Sequence, residues 1–174
     1  MILHEIDGTE NFENIGGNTA YAVSLAVADA AADSYGLSLY QYLGGSMNNS
    51  LPYPLGNVIG GGKHAFGKAT DIQEFLVLPV GADSFSAAVE ANARIHRKLK
   101  GILGEMDSTF TGGKGDEGAW APNISNDDAL EALSKACSEV SEEMGFECRM
   151  GIDVAASSLW NPEKEVYVYE RDGI

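Results

Sequence analysis

Apolar residues recur at steps of three and four in three stretches of the chain and condense into short strand-like runs between them. From Asn18 to Tyr35, Tyr21, Leu25, Ala28 and Ala32 form one stripe with Ala22 and Ala26 beside it. That spacing predicts a tightly packed helix, capped by Asn18, stopped by Gly36 and approached closely by its neighbours because its residues are small. Ser38 begins a further short turn through Tyr42 and Leu43. Ala88, Ala91, Ile95, Leu99 and Ile102 predict a second helix over Ser84–Leu103 with one buried stripe, while Arg94, Arg97 and Lys98 fall on another face and read as solvated. Ser125-Asn126-Asp127-Asp128 has the form of a capping box, and Leu130, Leu133, Cys137, Val140 and Met144 then trace a third helix that ends at Gly145.

Two runs, Tyr53–Ile59 and Glu74–Val80, read as strands. The segment joining them, from Gly60 to Lys68, is too rich in glycine for regular structure and is expected to be a mobile loop. Arg149–Val154 is a short apolar run interrupted by Asp153, and Glu165–Glu170 alternates like a strand before the turn signal Asp172-Gly173, with no second strand after it. Gly44–Asn49 has the composition of a linker, which places a domain boundary near Gly44–Leu51. Helices and strands interleave, so the fold class is α/β.

Charge narrows the functions open to such a chain. Its 174 residues carry 11 Lys plus Arg against 26 Asp plus Glu, a formal net charge of −15. A field of that sign repels nucleic-acid phosphates and anionic membranes, and it repels an anionic small substrate as well unless a bound cation reverses it locally. No apolar run reaches the roughly 18 residues of a membrane span, and the first residues are acidic where a signal peptide is basic, so a cytoplasmic protein is expected. Cys137 and Cys148 have neither the spacing nor the number of a zinc site and read as reduced, partly buried thiols.

Four acidic residues stand where apolar or small ones surround them: Glu74 at the head of a strand, Asp116 and Glu117 between glycines, and Asp153 within Arg149–Val154. Carboxylates gathered on one rim of an α/β fold repel one another unless a hard cation joins them, and oxygen donors with few His or Cys favour Mg²⁺. A hydrogen-bonded structural carboxylate is the alternative for Asp153. His64 in the glycine segment could contact an anion or move a proton, or be an idle surface histidine. Gly60–Gly62 could form a backbone nest for phosphate, but no Lys-Ser or Lys-Thr follows, so a nucleotide site is not supported.

Taken together, Asp7-Gly8-Thr9-Glu10-Asn11, Gly17-Asn18-Thr19-Ala20, Gly61-Gly62-Lys63-His64-Ala65, Asp71-Ile72-Gln73-Glu74-Phe75, Gly115-Asp116-Glu117-Gly118 with Ala121-Pro122-Asn123, and Asp153-Val154-Ala155-Ala156-Ser157 resemble enolase, in that family's order and across nearly the whole chain. The resemblance implies an incomplete enolase-type (β/α) barrel, its first part at residues 44–174, preceded at residues 1–43 by the end of an α+β N-terminal capping domain. It implies a lyase that dehydrates 2-phosphoglycerate to phosphoenolpyruvate with Mg²⁺, commonly as a homo-oligomer. Residue by residue, Glu117 is implied as the acid that helps hydroxide leave, Asp153 as a ligand of Mg²⁺, and His64, Gln73 and Glu74 as groups contacting substrate. The family's catalytic lysine, its other two acidic metal ligands and its phosphate-holding Arg and Lys are expected beyond Ile174, so the 174-residue chain by itself is expected to be inactive. Two positions depart from the pattern: Gly60 stands where the family usually has Asn, and Ala119 where it has Gly. A non-catalytic acidic metal-binding or interaction module built on the same fold is the competing reading.

Overall fold

The computed structural model describes residues 2–45, 47–48, 50–65, 69–171 and 173, without the side chain of His64. These fall into two compact units, Met1–Leu51 and Pro52–Ile174. Phe66–Lys68 of the glycine segment and Asp172 of the expected turn lie outside the described residues.

The first unit holds three helices: α1 (Ile2–Asp7), which the sequence pattern does not predict, α2 (Gly17–Ser34) and α3 (Leu39–Gly44). The segment between α1 and α2 is organised by Asp7, which is buried. Its carboxylate accepts hydrogen bonds from the backbone of Thr9 (3.2 Å), Asn14 (3.0 Å) and Ile15 (2.7 Å) and from the Thr9 hydroxyl. The hydroxyl and then these amides hold Asp7 below the usual carboxylate range against the opposing effect of burial. Helix α2 begins one residue before the expected cap: Gly16, at φ 83°, turns the chain, so Asn18 lies inside the helix. Gly36, at φ 66°, follows its end.

The expected tight packing of α2 is not found. Ala20 and Ala32 are buried, but Tyr21 is 69% exposed and Leu25 38%. Within this unit the other two helices are six residues long, too short to cover an 18-residue helix.

The second unit is a three-stranded antiparallel sheet, β1 (Gly56–Gly60), β2 (Glu74–Leu78) and β3 (Arg149–Asp153) in that order, covered by α4 (Phe85–Met106) and α5 (Asn126–Met144). Each boundary has a local cause. Pro79 follows β2, where it lacks the N–H that a longer ladder needs. Ser84 caps α4 by accepting from Ala87 N at 3.2 Å, and Ser125 with Asp128 forms the expected capping box of α5. Gly145 ends α5 in the left-handed region at φ 74°.

All five predicted stripe residues of α4 are buried, and Ala91, Ile95, Leu99 and Ile102 join Leu133, Cys137 and Val140 of α5 and Val58, Ile59, Phe75 and Val77 of the sheet in one apolar core. Both cysteines are free and buried there; burial pushes the Cys137 thiol up to about 12 and raises Cys148 as well. Lys98 is not simply solvated: it pairs with Glu139 (2.8 Å) and Glu143 (2.6 Å), tying α4 to α5. No closed barrel is present among the described residues, as an incomplete barrel requires.

Near its end the chain forms a small hairpin, β4 (Trp160–Asn161) with β5 (Val166–Tyr167). The strand expected over Glu165–Glu170 thus shrinks to two residues, and its partner precedes it rather than following. Asn161 makes the difference, since its side-chain oxygen accepts from Glu163 N and Lys164 N (both 3.0 Å) and closes the turn.

Candidate functional site

Side chains on β2 alternate between two environments. Phe75 and Val77 enter the core with the helices, so Glu74, Leu76 and Leu78 lie on the opposite face. The register places Asp153 directly across from Glu74, and Gly60 across from Glu74 on the other side. Cross-strand partners share a face, so the strand-head glutamate and the strand-end aspartate are neighbours on one rim. Asp153 is exposed and accepts from Ala155 N at 2.8 Å, with Ala155 itself at φ 49°, a left-handed conformation uncommon for a residue with a Cβ.

Glu117 comes from a different part of the chain. Residues 113–121 fold back on themselves through Gly115 N to Ala119 O (3.0 Å), Gly118 N to Gly115 O (3.1 Å) and Ala121 N to Gly113 O (3.0 Å), which puts Asp116 and Glu117 at the tip. Trp120 laces this turn along β1: its N–H donates to Val58 O (3.1 Å) and its carbonyl accepts from Gly60 N (2.9 Å). A bulge between Asn57 and Ile59 then matters. Ile59 pairs with core-facing Phe75, whereas Asn57 pairs with Leu76, so Asn57 shares the Glu74 face. From there its Nδ2 donates to Glu117 Oε2 at 3.0 Å.

Gln73 immediately precedes β2, and its carbonyl accepts from Gly61 N at 2.8 Å. The backbone of His64 forms a single helical turn with Gly62 and Lys63. The amides of Gly60, Gly61 and Gly62 donate to Trp120 O, Gln73 O and Thr70 O respectively, so they form no anion nest. At Gly61 a Cβ would collide with the Thr70 hydroxyl and the carbonyls of Thr70 and Ile72, which explains the glycine on steric grounds alone.

The loop before Gln73 is fixed from outside the sheet. Ile72 N donates to Asn126 Oδ1 (3.1 Å), and Asp71 accepts from Arg171 N (3.1 Å). Buried Asp107 accepts from Thr109 N (2.8 Å), the Thr109 hydroxyl (2.6 Å) and Asn123 N (2.8 Å), contacts that hold it below the usual carboxylate range, the hydroxyl most of all.

The profile described as "Enolase, C-terminal TIM barrel domain" matches residues 48–173, and that described as "Enolase, N-terminal domain" matches residues 1–43. The chain belongs to the enolase family. It is 56% identical over 172 residues to the enolase of Methanosphaera stadtmanae, covering 99% of this chain and 42% of that protein. With the enolase of Methanothermobacter thermautotrophicus the identity is 53% over 174 residues, covering 100% of this chain and 42% of the relative. With that of Pyrobaculum aerophilum it is 52% over 172 residues, covering 99% and 41%. The chain therefore spans about 42% of the length of the enolases it matches.

Within the enolase pattern, the two departures noted in the sequence prove to be neighbours. A Cβ on Gly60 would lie 3.4 Å from the Ala119 Cβ, in ordinary van der Waals contact. Two contributors at the site were missed by sequence reasoning. Asn57 carries no spacing signal, because a bulge decides its face. His96, expected only as a helix residue, has its Nε2 within 3.1 Å of Gly118 O and its ring stacked on Trp120 at 4.5 Å. Burial pushes His96 below the ordinary histidine value, which favours a neutral ring donating to that carbonyl.

Proposed function

We propose that this chain supplies one side of an enolase active site, in an enzyme that interconverts 2-phosphoglycerate and phosphoenolpyruvate. Residues 44–174 are then the first part of the barrel, and residues 1–43 the end of the capping domain. The observation that supports the reading is that the Glu74–Asp153 register pair and Asn57, which bonds Glu117, lie on one face of the sheet, in a chain that matches enolases along its length.

In this reading Glu117 donates the proton that lets hydroxide leave, from a loop tip that β1 holds in place. Glu74, Gln73 and His64 orient the substrate from the adjoining rim and loop. Glycolysis and its reversal in the cytoplasm are the setting the activity fits, and a homo-oligomer is the expected assembly.

A magnesium ion is implied by the family, and these residues fit it in kind but not in number. Carboxylate oxygens are the donors it prefers, yet Mg²⁺ takes about six oxygens, and no cluster of three His, Cys, Asp or Glu side chains is found among the described residues. Asp153 would supply one ligand. When bound, the ion neutralises charge that develops on the substrate carboxylate.

The test is a chimera in which this chain replaces the matching 172-residue segment of the M. stadtmanae enolase. It should form phosphoenolpyruvate, whereas the isolated chain should not. Asp153→Asn should raise the Mg²⁺ concentration for half-maximal rate by about tenfold or more, the loss seen even when only an outer partner of a metal ligand is removed. A folded, soluble chimera without turnover, or one whose Mg²⁺ dependence ignores Asp153→Asn, contradicts the proposal.

A further inference from the structure

We infer that Asn57 is a positioning residue for Glu117, an inference that rests on the acid role proposed above. Glu117 sits at the exposed tip of a turn, and a glutamate side chain has several staggered rotamers, so a contact from a rigid element narrows the directions it takes. The 3.0 Å hydrogen bond from Asn57 Nδ2 to Oε2 does so from a strand rather than from another loop. Strands hold a group more rigidly than loops do.

Three features aim the contact. The bulge in β1 swings Asn57 out of the core that takes Val58 and Ile59 and onto the Glu74–Asp153 face. Trp120, bonded to Val58 and Gly60, sets the height of the Glu117 turn along β1. On the far side, His96 holds Gly118 O, and Trp120 Nε1 donates to His96 O at 2.6 Å, fastening the same turn to α4. The acid is thereby held by its side chain through Asn57 and by its backbone through Gly118.

The choice of an amide has a chemical meaning. The Asn57 N–H donates to Oε2, an acceptor oxygen of the Glu117 carboxylate. A carboxamide can also turn over and accept through its own oxygen, which would serve a carboxyl protonated on Oε2. Asn57 Oδ1 is buried and has no hydrogen-bond partner among the described residues, so that turn breaks no bond on the oxygen side. Neither Asp, which lacks the donor, nor Leu, which lacks both functions, could follow the acid through its two protonation states.

Asn57→Asp is the informative substitution, because it preserves shape and removes the donor. In the M. stadtmanae chimera, Asn57→Asp and Asn57→Ala should each lower kcat about 10- to 100-fold with KM changed by less than about threefold, and Asp should be at least as damaging as Ala because it opposes two carboxylates. A residue that merely fills space would tolerate Asp. Independently of activity, the side-chain amide resonances of Asn57 in the ¹⁵N spectrum of the 174-residue chain should shift in Glu117→Ala, a change at an exposed position that leaves the core intact. Wild-type kcat in Asn57→Asp, or an Asn57 amide that does not respond to Glu117→Ala, overturns the inference. A parent chimera without turnover instead counts against the proposed function, and the resonance shift then still decides whether Asn57 holds Glu117.

Discussion

Helices α2 and α5 are almost equal in length, 18 and 19 residues, and both carry apolar residues at helical spacing, yet they reach opposite environments. Along α5, Ala129, Ala132, Leu133, Ala136, Cys137 and Val140 are buried against α4 and the sheet. Along α2 only Ala20 and Ala32 are buried, and Val27 is 64% exposed. Periodicity thus reports which residues of a helix can be covered together. Whether they are covered depends on the partners available, and within the first unit two six-residue helices are not enough.

The contrast has measurable consequences. Leu133→Ala empties a fully buried position in the second unit and should cost about 2–5 kcal/mol in urea unfolding followed by circular dichroism. Val27→Ala on α2 should change stability by no more than about 0.5 kcal/mol, as surface substitutions do. Equal losses from the two would mean that the exposed face of α2 is covered in solution.

A smaller effect concerns the aspartates that organise a loop in each unit, Asp7 and Asp107. Both are held below the ordinary Asp value of 3.8, chiefly by a threonine hydroxyl two residues on. For a carboxylate depressed by folding, the contribution to stability is present above the unfolded value and disappears as pH falls through the folded one. Stability should therefore be level near neutrality and decline below about pH 3.8, and Asp107→Asn should flatten part of that decline. An unchanged acid limb in Asp107→Asn would show that the contacts to Thr109 and Asn123 do not distinguish the folded state.

Much of the second unit could be read from the sequence because its signals are local and agree with one another. The α4 stripe, the Ser125–Asp128 capping box, the Gly145 stop and the start of β2 at Glu74 each depend on neighbours within a few residues. What escaped depends on distant partners. The exposure of α2 follows from what surrounds it, and the β4–β5 hairpin follows from Asn161 closing a turn that pairs two-residue strands. At the site, Glu74 and Asp153 stood out as carboxylates among apolar residues. Their pairing required the sheet register, and the bond from Asn57 to Glu117 required a bulge and a turn separated by 60 positions.

The most direct test of the central claim is the turnover number of Glu117→Gln in the M. stadtmanae chimera, measured together with its KM. Glutamine keeps the shape at position 117 and removes the transferable proton. Turnover should fall by about 10²- to 10⁴-fold with little change in KM, the loss expected when a general acid is deleted. Turnover close to that of the parent chimera would contradict the assignment of Glu117 as the acid and, with it, the reading of this sheet face as an enolase site.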